Sequence, residues 1–135
     1  VLPQVVADFV EAVGAQTIPD LETALTFMIH DRLDFVMTNR REVKVFAQMV
    51  LSDASVMQAL IKQAEHLMNT NYQRVLAPLQ RSGQLVDWQP VRILRYVAGT
   101  VLSYVLPVIL MDAPALDCDA VTAECVEFLL KGLAA

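Results

Sequence analysis

Apolar residues recur at three- and four-residue spacing along nearly the whole chain, and no alternating stretch competes with that pattern. The spacing predicts an all-α protein. The first segment covers roughly Leu2–Val13, with Val5, Val6, Phe9 and Val13 on one face. "GAQTIPD" interrupts it, and Thr17 offers a cap for the next helix, with Pro19 in its first turn. That second helix is expected from about Ile18 to Thr38, on a stripe of Leu21, Leu25, Met28, Ile29 and Val36. A third, about Arg41–Leu51, turns Val45, Phe46, Met49 and Val50 inward. A fourth, about Ser55–Arg81, carries the longest regular stripe, from Met57 through Leu60 and Leu67 to Leu79. Pro78 is expected to bend its last turns and Gly83 to stop it. Asp87 is the expected cap of the fifth helix, and Asp117 or Asp119 starts the sixth, about Ala120–Lys131. No repeat or low-complexity segment breaks the series, so residues 1–135 are read as one six-helix bundle.

The fifth helix contains "YVAGTVLSYVLPVILM", sixteen residues without a charge between Arg95 and Asp112. A membrane span needs about 20 apolar residues, so this run is read as too short for one. It is nevertheless apolar on every face, and such a helix must be covered on every face. The last helix has the same excess: Val121, Cys125, Val126, Phe128, Leu129 and Leu130 leave a narrow polar strip of Glu124, Glu127 and Lys131. Two consecutive helices with surplus apolar surface predict a shared self-association face, and two-fold dimers are the commonest oligomers. The residues assigned to that face are Leu106, Leu110, Val121, Cys125, Phe128 and Leu129.

Composition points the same way. The apolar fraction is 56% and the charged fraction 19%, a surplus that a domain of 135 residues cannot easily hide by itself. The net charge is −5; the densest basic group is "RREVK" at Arg40, Arg41 and Lys44, and its Arg40–Arg41 pair is read as a solvated helix end. This is no footprint for a phosphate backbone or an anionic membrane. Cys118 and Cys125 are two helical turns apart, beyond disulfide reach, so a reducing compartment is expected. The chain opens at Val1 inside a helix-like pattern and is expected to be a piece of a longer protein.

Signals for catalysis are thin. His30 and Asp34 stand one helical turn apart and offer half a metal site or an acid–base pair. The same spacing more commonly makes a local hydrogen-bonded pair. Ser103 lies in an apolar run with no histidine beside it. Cys118 is flanked by Asp117 and Asp119, which disfavour its thiolate. The expectation is no enzyme, no metal and no cofactor. A softer signal is flexible apolar bulk beside hydroxyls: Met68 and Tyr72 on the fourth helix, and Tyr96, Thr100 and Tyr104 on the fifth. That mixture suits a small-molecule pocket.

The run "LAPLQRSGQLVDWQPVRILRYVAGTVLSYVL" resembles the segment of TetR-family transcriptional regulators that closes one long helix near a Gly and opens the next after a short polar link. The tail "AECVEFLLKGLAA" is similar to the family's last helix, with its Leu-Leu-x-Gly-Leu pattern at Leu129, Leu130, Lys131, Gly132 and Leu133. The helix order fits over essentially the whole chain. The resemblance implies the effector-binding and dimerisation domain of a cytoplasmic bacterial repressor, without the family's N-terminal helix-turn-helix. Operator DNA would then be a partner only through that absent part. The resemblance also implies that the last two helices form the dimer interface, and that a largely apolar effector sits among the middle helices. By helix and face, the lining assigned to that pocket is Phe27, Phe46, Met49, Met68, Tyr72, Tyr96, Thr100 and Tyr104. Two rival readings stand beside it: a small helical enzyme or metal protein using His30 and Asp34, and a helical interaction domain with no pocket.

Overall fold

A helix terminus leaves backbone groups free, and the first and last of the described helices each begin where an aspartate side chain accepts from one of them. In the computed structural model, residues 20–135 are described, except for the side chains of Met68, Asn71 and Tyr72. The expected Leu2–Val13 helix and the Thr17 cap lie outside the described residues. Six α-helices follow among the described ones: α1 Leu21–Thr38, α2 Arg40–Ser52, α3 Ala54–Asn71, α4 Ala77–Arg81, α5 Pro90–Leu110 and α6 Cys118–Leu133. The fold class is an all-α bundle.

Asp20 caps α1, its carboxylate accepting from the Thr23 amide at 2.7 Å. The helix therefore starts three residues later than its sequence pattern predicts. Asp117 caps α6 by accepting from the Ala120 amide, and α6 continues past Gly132 to Leu133. The cap of α5 differs from expectation. Gln89, not Asp87, precedes it and makes no side-chain cap, while Pro90 opens the first turn with no amide to satisfy.

The predicted long fourth helix is α3, a π-helical turn over Tyr72–Leu76, and α4. Pro78 explains the wide turn. Its ring has no amide hydrogen and crowds the carbonyl four residues earlier, at Arg74, and an opened turn relieves both faults. The rod ends as predicted at Gly83, the only described glycine with a positive φ, at 80°. The Gly83 amide donates to Gln80 O and the Gln84 amide to Leu79 O, the paired bonds of a left-handed helix stop.

The core forms where α1 lies along α6, the most extensive helix contact among the described residues. Leu21, Ala24, Leu25, Met28, Ile29 and Leu33 of α1 meet Val121, Cys125, Val126, Leu129 and Leu133 of α6. Val75, Leu76, Leu79 and Leu85 close one end, and Ile93, Val105 and Ile109 of α5 complete the cluster. Helix α2 is thinner cover. It buries no residue fully, and packs through Val43 and Ala47. Val45 and Met49, expected inward, are exposed. Arg40, read as a solvated end, is half-buried and donates to Ala113 O, while Lys44 pairs with Asp112 at 3.0 Å. These two contacts hold α2 against the loop between α5 and α6.

Two measurements check this account. Gly83→Ala forces a Cβ into the left-handed region although nothing crowds it there, so chemical denaturation should show a loss of about 1 kcal/mol. The second concerns Asp20, whose carboxyl is held below its ordinary pKa by the bonds from Thr23. A depressed acid stabilises the fold above its unfolded pKa, and that share is lost as pH falls through the folded value. Asp20→Asn keeps a capping oxygen without the charge. The stability of this variant should fall less steeply than that of the parent as the pH is lowered through the acid range.

Candidate functional site

Helix α5 is 21 residues long, because Pro90 lets it start before Arg92 and Arg95. By length and composition it could cross a membrane, so the shortness of the uncharged run does not exclude a span. Its inner face is committed to the bundle through Ile93, Val105, Val108 and Ile109. Its outer face carries Arg92, Tyr96, Gly99, Ser103, Leu106 and Leu110, all exposed. This seam follows one face of the helix, with Tyr96, Leu106 and Leu110 as its large apolar members. Tyr96 is 49% exposed, Leu106 43% and Leu110 42%.

Beside this seam, α6 contributes Phe128, which is 66% exposed on an otherwise charged strip. Between the two helices lies an open groove of about 410 Å³. Gly99, Thr100 and Ser103 line it together with Tyr96, Tyr104, Arg95, Glu124, Cys125 and Phe128. The Thr100 and Ser103 hydroxyls turn back onto their own helix, donating to Tyr96 O and Thr100 O. The Tyr104 hydroxyl crosses the groove to Glu124 at 2.8 Å. That bond, then desolvation, then the nearby Glu124 charge hold the Tyr104 phenol above its ordinary pKa.

The assigned association residues divide. Leu106, Leu110 and Phe128 are outward. Val121, Cys125 and Leu129 are not, and their assignment to an outer face is corrected here. They are part of the chain's own core, Leu129 at 2% exposure, because α1 needs a covering helix and takes this side of α6.

The assigned pocket lining does not converge. Tyr96, Thr100 and Tyr104 line the α5–α6 groove, next to Phe128 and away from the middle helices. Phe27 lines a different open groove with Thr26, His30 and Asp34. Met49 is exposed and Phe46 half-buried on α2. The side chains of Met68 and Tyr72 lie outside the described residues. The groove residues not assigned from sequence are Arg95, Gly99, Ser103 and Glu124. No spacing singles them out; they are brought together only when α5 is laid beside α6.

His30 does not bond Asp34. Its Nε2 lies 2.9 Å from Asp119 Oδ1, joining α1 to the first turn of α6 across 89 positions of sequence. Among the described residues, no group of three or more His, Cys, Asp or Glu side chains converges as a metal site would require. Thiolate formation is disfavoured at Cys118 first by burial, then by Asp34, Asp119 and Asp117. Burial and then Glu124 do the same for Cys125.

No family model matches this chain, and neither the curated proteins nor the solved structures contain a match.

The groove makes a spectroscopic prediction. A raised phenol pKa means that the fold prefers protonated Tyr104. This stabilisation is complete below the ordinary value of 10.0 and is lost as pH rises through the raised one. In an alkaline absorbance titration, Glu124→Gln should move one tyrosine back toward its ordinary range. An unchanged curve would mean that Glu124 does not hold the phenol.

Proposed function

We propose that this chain is the ligand-sensing and homodimerising domain of a TetR-like bacterial transcriptional regulator, with α5 and α6 as its self-association face. The observation that carries this reading is the outer seam of α5 beside the exposed Phe128. Tyr96, Leu106, Leu110 and Phe128 are large apolar side chains left open to solvent along this face, and a two-fold copy covers them without any other partner. The resemblance of "LAPLQRSGQLVDWQPVRILRYVAGTVLSYVL" and of the Leu129–Leu133 tail to that family supports the same face.

The sensing half rests on the arm formed by α2 and α3. Its apolar residues Val45, Met49, Met57 and Ile61 are exposed, and α2 has no fully buried side chain. A small apolar effector that settles against this arm would favour one position of α2 and α3 over others. In a longer protein with paired DNA-reading heads, that preference would change head spacing and so operator affinity.

Light scattering after size-exclusion chromatography should give a dimer at micromolar concentration. Two charged variants then separate the faces of α6. Phe128→Asp should yield a folded monomer, since the side chain already meets solvent. Leu129→Asp should unfold the chain, since it places a carboxylate in the core at a cost of several kcal/mol. A folded, dimeric Phe128→Asp variant would put the interface elsewhere. For the sensing half, small hydrophobic compounds should raise the melting temperature in a concentration-dependent way. The absence of any such shift across a chemically diverse set would favour a pocketless interaction domain.

A further inference from the structure

Gly99 has no evident reason to be glycine within its own chain. It sits in the middle of α5, where glycine weakens a helix relative to alanine. A Cβ built on it would meet nothing within 4 Å apart from the helix's own backbone. Internal packing therefore does not demand the gap, which leaves open space over a helix surface. Ser103, one turn on, keeps the floor low, and Tyr96 and Tyr104 stand on either side. The outcome is a socket, and Phe128, the most exposed aromatic side chain among the described residues, stands on its α6 rim.

We infer that the α5–α6 groove over Gly99 is the socket for Phe128 of a second copy of this chain, so that two identical knob-and-socket contacts register the dimer. The inference rests on the proposed self-association face and goes beyond it by naming the contact that fixes how the copies align. Size agrees, since about 410 Å³ of open groove accommodates a phenyl ring together with part of its helix. Charge agrees as well. Arg95 lies on the groove with no ion pair among the described residues, and Glu124 has the Tyr104 hydroxyl as its hydrogen-bond partner. A two-fold axis through the face lets the cationic part of one groove meet the anionic part of the other, whereas a neutral membrane or an apolar peptide offers no counterpart to either charge. The knob and the socket lie on one patch, which is the requirement for a closed two-fold contact rather than an open chain of copies.

Analytical ultracentrifugation of the 135-residue chain tests this with three variants. Gly99→Leu fills the socket and Phe128→Ala removes the knob. Each should weaken dimerisation at least about a hundred-fold, since both copies lose a central aromatic anchor. Circular dichroism and thermal melting should show both variants folded, with Gly99→Leu helical at or above the parent's level. The third, Leu106→Glu, places a charge elsewhere on the seam. If Leu106→Glu splits the dimer while either Gly99→Leu or Phe128→Ala keeps parental affinity, the socket is overturned and the α5–α6 face stands. A parent chain that is monomeric throughout, or a dimer indifferent to all three changes, overturns the face and the socket together. Restoration of dimerisation on combining Gly99→Ala with Phe128→Leu, when each change alone weakens it, would show directly that the two positions are complementary in size.

Discussion

The packing of α1 against α6 determines what every other surface can do. Leu21, Leu25, Met28, Ile29 and Leu33 form a broad stripe that must be covered, and α6 covers it with Val126, Leu129, Leu133 and their neighbours. Burial of each such side chain contributes about 1.5–3 kcal/mol, so the pair dominates the fold's stabilisation. Both helices are fixed at one point. The Gln84 side chain accepts from the Leu21 amide at the start of α1. The Val86 amide donates to Leu133 O, and the Ala135 amide to Gln84 O, at the end of α6. The stop at Gly83 places Gln84 where it can make these bonds. With α6 so committed, Phe128 is left on the far side.

That commitment explains which parts of the sequence were readable. Helices were legible because their periodicity is local, and Gly83 because a left-handed stop leaves few alternatives to glycine. The direction of an apolar side chain was harder. Helix α5 and helix α6 are apolar nearly all round, so their sequences do not say which third faces inward. Val121, Cys125 and Leu129 look the same as Phe128 until α1 is laid beside them. The His30–Asp119 contact depends on that same juxtaposition and has no signature in spacing. Val45 and Met49 were misplaced because α2 was given a face by its own pattern. Its actual face, Val43 and Ala47, is decided by the loop that Arg40 and Lys44 grip.

The bundle has a firm side and a loose one. The firm side is α1, α6 and the inner face of α5. The loose side is α2 and α3, whose apolar residues are only partly covered. A sensing domain needs this division, because a ligand shifts only elements that have more than one arrangement close in energy. The rigid pair gives the proposed dimer a fixed reference against which such a shift could be transmitted.

The central claim is that the outer face of α5 and α6, and not the α2–α3 arm, meets a second copy. Pulsed dipolar spectroscopy on singly labelled chains tests it, with Cys118→Ser as background and Cys125 protected by burial. One label goes at Glu127→Cys, beside Phe128, and the other at Met57→Cys on α3. The account predicts a narrow intermolecular distance from the Glu127 site that is clearly shorter than the one from the Met57 site. The reverse order, or no intermolecular coupling from the Glu127 site, would contradict it.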